Sequence, residues 1–311
     1  MGAQATFRAR FGVSMILRIN TVLKLSRVSN LPTVWSNCIA GWLLGGGIAY
    51  VPEASCLKEI LLLLLLLIGA SLAYSAGMIM NDAVDFKVDG VERPDRPLPA
   101  GEISLSVAWA LAISGLGGGF ILMILAGASP GCVLLLGLMI VGYNVLHKRW
   151  EGSVFLMGAC RLLLYLVAAS VPEDGGWFRE LVCVWALALG VYTVGITLAA
   201  RGEVKDQGAG FVGLSMLCVP LIAAAWAYFL QAESHLMLLI SLIIWACWTA
   251  YSILLMKGDE EGRVSKAVAL LIAGMLLIDA VAVSAVSPWL GVALIMMLPL
   301  VLMLQKRISA T

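Results

Sequence analysis

The sequence predicts an all-α protein, a polytopic transmembrane bundle of nine to ten helices. The 311 residues are 61% hydrophobic and only 13% charged, with a mean hydropathy of +0.99, which lies far from the composition of soluble globular proteins. Apolar segments of the length that spans about 30 Å of hydrocarbon recur along the chain. Because no polar block is long enough to fold separately, we expect one membrane domain over residues 31–311, after a cytoplasmic amphipathic segment over 1–30.

Ten apolar segments are candidates for membrane spans. They cover approximately residues 31–51, 59–80, 104–127, 130–146, 153–171, 180–200, 211–230, 236–256, 266–286 and 288–304. Only a short gap containing Pro288 separates the last two segments. They therefore form either a helical hairpin or a single span followed by an interfacial piece.

Lysine and arginine are concentrated in alternate connections between these segments. Cytoplasmic loops carry the excess of basic residues, so this alternation predicts that both ends of the chain lie in the cytoplasm. Of the 20 basic residues, only Lys58, Arg179 and Arg161 do not follow it. The expected location is a bacterial inner membrane, with the active site facing the cytoplasm. A net charge of +1 without a concentrated basic surface argues against a nucleic-acid partner.

The stretch NDAVDFKVDGVERPDRPLPAG, residues 81–101, follows the second apolar segment. Asp82, Asp85 and Asp89 are spaced by three and four residues, so they share one face if the helix continues past the membrane edge. Three carboxylates on one face repel each other unless a cation neutralises them. Such oxygen ligands suit magnesium, which bridges carboxylates to substrate phosphates. We predict that these three aspartates bind Mg²⁺ and act in catalysis on a diphosphate substrate.

Other side chains of this stretch are predicted to bind the substrate. Asn81 offers an amide ligand or donor, and Arg93 and Arg96 offer planar forks for phosphate oxygens. Pro94 is expected to end the helix. The alternative is that these acidic and basic residues only solvate a loop between two helices.

The same stretch resembles the first aspartate-rich motif of the UbiA-type intramembrane prenyltransferase superfamily, which reads NDxxDxxxD followed by an arginine and RPLxxG. The matching residues are Asn81, Asp82, Asp85, Asp89, Arg93, Arg96, Pro97, Leu98 and Gly101. The resemblance implies a UbiA-like helical bundle that is open to membrane lipid. It also implies Mg²⁺-dependent transfer of a prenyl chain from a prenyl diphosphate donor to a lipophilic or aromatic acceptor. The identity of the acceptor is left open.

A second group of polar residues follows the sixth apolar segment, in GVYTVGITLAARGEVKDQGAG, residues 190–210. Three of them fall at helical spacing and form a polar stripe, and three more lie at the membrane edge. We predict that this group binds substrate and a second metal ion, with an ordinary charged loop as the alternative. The stripe consists of Thr193, Thr197 and Arg201, the predicted metal ligands are Glu203 and Asp206, and Lys205 is a predicted substrate contact.

The second motif of the UbiA-type superfamily usually has two or three aspartates spaced by three or four residues. Here Gly210 stands where a third acid is expected. The ARxE pattern of Ala200, Arg201 and Glu203 resembles a less characterised branch of the superfamily that includes EboC-like proteins.

Four positions elsewhere in the chain complete the predicted site. Tyr143 and Lys148 are similar to the YxxxKR element of the superfamily, with one extra residue, and are predicted to bind substrate. Asn37 matches an asparagine of the family's active pocket, with an interhelical hydrogen bond as the alternative. Arg161 lies inside a span, where charge most often marks a functional site, and we predict that it faces a polar cavity and acts in catalysis.

Asp279 is an intramembrane acid that belongs to no recognised motif, and His147 has the character of an interfacial residue. Tyr74, Tyr143, Tyr165 and Tyr192 are candidates for stabilising a carbocation. Two other functions are compatible with the sequence: a non-catalytic UbiA-like lipid-binding or assembly subunit, and a membrane transporter. Phosphatidyl transfer from a CDP-alcohol is disfavoured, because the expected DGxxAR motif is absent.

Overall fold

The computed structural model describes residues 20–47, 56–172, 176–204, 210–230, 235–257 and 262–307, and every regular element in these ranges is helical. A helical turn over residues 20–25 and the 3₁₀ turn Val28–Asn30 precede the first long helix. The α-helices are α1 Leu31–Leu44, α2 Cys56–Glu92, α3 Leu105–Leu125, α4 Pro130–Leu146, α5 Ser153–Ala169, α6 Glu180–Val204, α7 Phe211–Leu217, α8 Val219–Leu230, α9 His235–Met256, α10 Arg263–Ser284, α11 Pro288–Ile295 and α12 Leu298–Arg307. Most of the predicted segment 1–30 lies outside the described residues.

Helix α2 is much longer than a membrane span requires. Its 37 residues extend about 55 Å at 1.5 Å per residue, almost twice the thickness of the hydrocarbon core. The polar residues after position 80 do not break the helix, which ends at Glu92, shortly before Pro94. The helix thus continues past the membrane edge, which was the condition for Asp82, Asp85 and Asp89 to share one helical face.

Seven helical stretches of the described chain are long and apolar enough to cross a membrane. They are Leu57–Glu92, Leu105–Leu125, Glu180–Arg201, Phe211–Phe229, His235–Met256, Arg263–Ser284 and Pro288–Arg307. The predicted nine to ten spans exceed this number. Each of the ten apolar segments contains a helix in the described residues, but α1 has 14 residues and α4 and α5 have 17 each, so these three fall short of the roughly 20 residues of a full span.

Residues 263–307 form a helical hairpin, which is one of the two arrangements considered for the last two apolar segments. Helices α11 and α12 follow α10 after a short turn and return along it. The amide of Gln305 on α12 donates to the carbonyl of Ala269, near the start of α10, at 3.1 Å. Val301 packs one turn further along, against Ala273 and Leu276.

The helices pack around two large apolar clusters, and α1 and α5 contribute to both. One cluster joins α1 and α5 to α2, α3 and α4. The other joins them to α6 through α11. Helix α10 lies inside the bundle, because 83% of its most apolar 18-residue segment is buried. The corresponding segments of α2 and α3 are only 33% and 28% buried. The remaining surface of α2 and α3 carries exposed apolar side chains suited to lipid.

Two glycines allow α2 and α3 to approach closely. A Cβ atom added at Gly69 would lie 2.8 Å from the carbonyl oxygen of Gly119, and one added at Gly119 would lie 2.7 Å from that of Gly69. Helices in membranes use small residues at such contacts because backbones can then pack directly against each other.

Candidate active site

A cavity of about 350 Å³ lies between the two apolar clusters. It is bounded by α1, α2, α4, α5, α6 and α10, with Met123 of α3 also on its wall. Much of the wall is apolar, including Val34, Ala73 and Leu136. The polar side chains on the wall are Arg27, Asn30, Tyr74, Arg93, Arg96, Tyr143, Asn144, Arg161, Thr193 and Thr197. The cavity can therefore hold a lipophilic molecule with polar groups at defined points.

Asp82, Asp85 and Asp89, here called the aspartate cluster, lie on the C-terminal part of α2 and are all buried. Arg96, from the loop that follows α2, contacts two of them through one nitrogen. Its Nη1 donates to Asp89 Oδ2 at 2.7 Å and to Asp82 Oδ1 at 3.3 Å. Arg27, which precedes α1, approaches Asp82 Oδ1 to 3.8 Å through its Nη2. Since Arg27 and Arg96 also line the cavity, they connect the aspartate cluster to it.

Asp85 contacts a histidine and a lysine from a different part of the chain. His147 Nε2 lies 3.1 Å from Asp85 Oδ2, and Lys148 Nζ lies 3.2 Å from Asp85 Oδ1. Both residues directly follow the last turn of α4, so their contacts tie the end of α4 to α2. The contact of His147 with Asp85 was not predicted from the sequence, although His147 directly precedes Lys148 in the YxxxKR-like element.

The donor set of the aspartate cluster fits magnesium. Asp82 and Asp89 direct carboxylate oxygens at the same nitrogen of Arg96, so they face a common point where positive charge is held. Hard carboxylate oxygens are the protein ligands that magnesium prefers. Among the described residues, however, no three acidic, histidine or cysteine side chains form a ready metal-binding group. In this arrangement Asp85 faces His147 and Lys148 instead of the point shared by Asp82 and Asp89.

The other residues of the aspartate-rich stretch take different positions. Arg93 lines the cavity and is exposed, so its guanidinium is accessible. Asn81 is buried next to Asp82 on α2 and is absent from the cavity wall.

Arg161 lies two turns into α5 and faces the cavity, as predicted. Its Nη1 donates to Asn37 Oδ1 at 2.6 Å and to the carbonyl of Thr33 at 3.2 Å, and its Nη2 donates to Thr33 Oγ1 at 3.1 Å. The guanidinium carbon is 5.9 Å from the centroid of the Tyr74 ring, within cation–π range. These contacts hold the arginine against α1.

Asn37 also connects Arg161 to Asp279, the intramembrane acid that no motif explained. Asn37 Nδ2 donates to Asp279 Oδ2 at 2.7 Å, and Ser36 Oγ donates to the same oxygen at 2.6 Å. The interhelical hydrogen bond considered for Asn37 is thus present, and Asn37 itself is absent from the cavity wall. An intramembrane acid and an intramembrane base in one sequence are a signal from which this coupling could have been expected.

The three residues of the polar stripe on α6 do not share one environment. Thr193 and Thr197 line the cavity, and each hydroxyl donates to a carbonyl one turn earlier. Arg201 instead binds the connection between α4 and α5, donating to Ser153 Oγ and the Glu151 carbonyl at 2.8 Å each. It holds a loop rather than facing the cavity. Lys205 and Asp206 lie outside the described residues, as does the side chain of Glu203.

Two of the four tyrosines considered for carbocation stabilisation are on the cavity wall. Tyr74 accepts a hydrogen bond from Asn30 Nδ2 at 3.3 Å, and Tyr143 stacks on His147 with 5.4 Å between ring centroids. Tyr165 and Tyr192 are fully buried in the apolar cluster that joins α1 and α5 to α6 through α11, and they do not line the cavity.

The comparison with protein families decides what this fold and site belong to. Residues 34–267, most of the chain, match the UbiA prenyltransferase family. The chain belongs to the UbiA prenyltransferase family. The resemblance predicted from the aspartate-rich stretch is thereby confirmed. With seven apolar helices among its described residues, the chain is an integral membrane protein.

Two relatives illustrate the range of the UbiA members to which this chain is similar. Digeranylgeranylglyceryl phosphate synthase of Metallosphaera sedula is 29% identical over 184 residues, which cover 58% of this chain and 60% of the relative. The 2-acylphloroglucinol 4-prenyltransferase of Humulus lupulus is 34% identical over 154 residues, covering 47% of this chain and 37% of the relative. This chain thus spans less than two thirds of the length of either relative.

Solved structures of UbiA members share the fold. A structure of a digeranylgeranylglyceryl phosphate synthase superposes with a TM-score of 0.61 at 19% identity, covering 86% of this chain and 98% of the other. A UbiA homologue from Archaeoglobus fulgidus, bound to GPP and Mg²⁺, superposes with a TM-score of 0.50 at 19% identity, covering 84% and 99%. The predicted all-α, UbiA-like transmembrane bundle is confirmed.

Proposed function

We propose that this UbiA member is a membrane prenyltransferase that moves an isoprenoid chain from its diphosphate to a lipophilic or aromatic acceptor. The observation that carries the proposal is the position of the aspartate cluster. Its basic partners Arg27 and Arg96 also line a largely apolar cavity. A charged head group at the aspartate cluster and a hydrophobic chain in the cavity would therefore occupy adjoining sites. A prenyl diphosphate has this combination of groups.

The basic residues around the aspartate cluster would bind the diphosphate. Arg96 and Arg93 come from the loop after α2, Arg27 precedes α1, and Lys148 follows α4. Arginine presents a fork that matches phosphate oxygens, and lysine provides a compact positive charge. Asn81 would add an amide at the same end of α2. These side chains neutralise the charge that grows on the leaving diphosphate.

Magnesium would be held by the carboxylates of Asp82 and Asp89, and Asp85 is proposed as a third ligand that would leave its partners His147 and Lys148. Glu203 and Asp206 are proposed as further metal ligands. Lys205 and Thr197 are proposed to contact the donor. When bound, magnesium supplies positive charge to the diphosphate oxygens as a Lewis acid. The Archaeoglobus fulgidus homologue bound to GPP and Mg²⁺ supports the use of magnesium, though not the choice of ligands.

The reaction breaks the bond between the first carbon of the prenyl chain and the diphosphate oxygen, and the electron pair leaves with the diphosphate. The allylic cation that remains is attacked by an electron-rich atom of the acceptor, which then loses a proton. Tyr143 and Tyr74 present aromatic rings to the cavity and are proposed to stabilise this cation. The apolar wall holds the chain and excludes water, which would otherwise capture the cation.

The site is proposed to face the cytoplasm, and a bacterial inner membrane is the proposed location. The supporting observation is the distribution of Lys and Arg in the connections, since the loop after α2 and the loop after α4 both carry basic residues.

The test is magnesium-dependent binding of labelled short and long prenyl diphosphates to the purified full chain in lipid nanodiscs. We expect saturable binding that requires magnesium and is lost in the double variant Asp82→Asn/Asp85→Asn. Asp95→Asn is the matched control, because Asp95 lies in the same loop but is exposed. Folding of each variant is checked by its thermal unfolding curve.

Folded wild-type protein that binds no prenyl diphosphate would contradict the proposal. That outcome would favour the non-catalytic lipid-binding or assembly subunit. Transport of a labelled donor into sealed vesicles, without its consumption, would favour the transporter instead.

A further inference from the structure

Arg161 is a partly buried cation inside a membrane span that the proposed donor site does not use. The charged groups proposed to hold the diphosphate, Arg96 and Lys148 among them, surround the aspartate cluster. Arg161 lies beside Tyr74, and Tyr74 precedes Asp82 by eight residues, which is about 12 Å along α2. A diphosphate held at the aspartate cluster therefore leaves Arg161 facing another part of the cavity.

The guanidinium of Arg161 keeps hydrogen-bonding capacity for a ligand. An arginine has five N–H donors, and the three hydrogen bonds of Arg161 all go to α1 from Nη1 and Nη2. Its Nε donates to no other group in the described part of the chain. Because Arg161 is also on the cavity wall, a molecule in the cavity can contact it.

The positive charge of Arg161 is compensated only indirectly. No carboxylate of the described residues lies within 4 Å of its guanidinium. Asp279 is linked to Arg161 only through the side chain of Asn37. A charge inside a membrane span is costly unless it is paired, so an anionic oxygen that enters the cavity would gain Arg161 as a direct partner.

We propose that Arg161 is the residue of this chain that binds an acidic oxygen of the acceptor, carried by a phosphate or by an aromatic acid. This inference rests on the proposed function, since it assigns the second substrate of that reaction. Asn37 and Thr33 act as positioning residues, because they clamp the guanidinium against α1 and leave its remaining donors for the cavity. The prenyl donor has no other anionic group for Arg161 to bind once its diphosphate is at the aspartate cluster.

The test compares anionic probes with neutral ones of the same shape. Binding of dodecyl phosphate and dodecanol is measured in lipid nanodiscs, with the donor site filled by geranyl thiolodiphosphate and magnesium so that no transfer occurs. A second pair, 4-octylbenzoate and 4-octylbenzyl alcohol, distinguishes an aromatic acid from a phosphate. We expect the wild type to bind one acidic probe on the order of tenfold more tightly than its neutral partner.

Arg161→Met should abolish this preference while leaving the affinity for the neutral probes unchanged. Arg161→Lys should retain part of the preference, because the charge remains but the planar fork is lost. Arg307→Met is the control, since Arg307 is exposed at the end of α12. Equal affinity of the wild type for acidic and neutral probes overturns the inference, and this measurement requires no variant to fold.

Labelled geranyl diphosphate separates this inference from the proposed function. Its affinity should be unchanged in Arg161→Met. A loss of geranyl diphosphate binding with the acidic-probe preference intact would assign Arg161 to the donor and overturn the inference. If wild-type protein binds no geranyl diphosphate, the proposed function fails, and the probe pairs measured without the donor analogue still decide the role of Arg161.

Discussion

At the scale of single residues, the coupling of Arg161 to Asp279 depends on the side-chain amide of Asn37, which is both a hydrogen-bond acceptor and a donor. The amide oxygen accepts from the guanidinium of Arg161, and the amide nitrogen donates to the carboxylate of Asp279. Two ionisable residues on α5 and α10 are thus joined through α1 without direct contact. The three helices come together here because each buried polar group lacks any partner in the surrounding hydrocarbon.

We expect Asp279→Ala to destabilise the protein. The substitution removes the acceptor of two buried hydrogen bonds, from Ser36 and Asn37, and each buried donor left unpaired costs about 1–3 kcal/mol. The free energy of unfolding should fall by at least about 2 kcal/mol, measured by denaturant unfolding in mixed micelles. Asp279→Asn, which keeps an acceptor oxygen, should cost less.

Asp95→Ala serves as the control for this prediction, because Asp95 is exposed and should give little change. An Asp279→Ala protein as stable as the wild type would mean that the buried hydrogen bonds contribute nothing net to folding.

At the scale of helices, the extension of α2 beyond the length of a span determines where the chemistry can occur. The apolar half of α2 anchors the helix against α3, and its polar end carries the aspartate cluster to Arg96, His147 and Lys148. A helix that ended at residue 80, as its hydropathy predicts, would leave these carboxylates in an irregular loop. Packing of α2 on α3 therefore also supports the geometry of the site.

The contact between Gly119 and Gly69 offers a test of this packing. Gly119→Ala places a Cβ atom 2.7 Å from a backbone oxygen, so α2 and α3 must separate, and overpacking of this kind typically costs about 1–3 kcal/mol. Gly118→Ala is the matched control, because a Cβ there meets no heavy atom within 4 Å. Thermal unfolding of the two variants should show a lower midpoint for Gly119→Ala alone, and equal midpoints would refute the close contact.

At the scale of the whole molecule, the cavity exists because two apolar clusters share α1 and α5 without filling the space between them. The walls of the cavity come from helices at both ends of the chain, from Val34 on α1 to Met275 on α10. A volume of about 350 Å³ is within the range of small-molecule sites. The size and wall of this space are proposed to limit the length of the prenyl chain.

We expect Ile140→Trp to reduce the longest prenyl chain that is accepted. Ile140 lines the cavity, and the larger ring would occupy volume needed by the chain. Affinity for geranyl diphosphate should change little, whereas affinity for longer diphosphates should fall by roughly tenfold or more, since several buried CH₂ groups lose their site. Ile113→Trp is the control, because Ile113 is 64% exposed on α3. A uniform loss across all donor lengths would argue that the variant perturbs the diphosphate site instead.

Much of the fold and part of the site were predictable, for a physical reason that particular residues illustrate. Hydropathy is a local property, so each of the ten apolar segments contains a helix in the described residues, although α1, α4 and α5 are shorter than spans. Helical spacing is also local, which is why the shared face of Asp82, Asp85 and Asp89 was predicted correctly. The interfacial interpretation of His147 missed its contact with Asp85 because these residues are 62 positions apart.

The sequence by itself determined that this protein is a helical membrane bundle of the UbiA type with an aspartate-rich helix end, because composition, hydropathy and a contiguous motif carry that information. Only the tertiary structure decided that Arg96 joins Asp82 to Asp89, that Arg201 holds a loop, and that Asp279 reaches Arg161 through Asn37. These contacts join residues from different helices and loops, and no local pattern specifies which polar groups meet when the helices pack. The cavity arises in the same way, from the space that the packed helices leave between them.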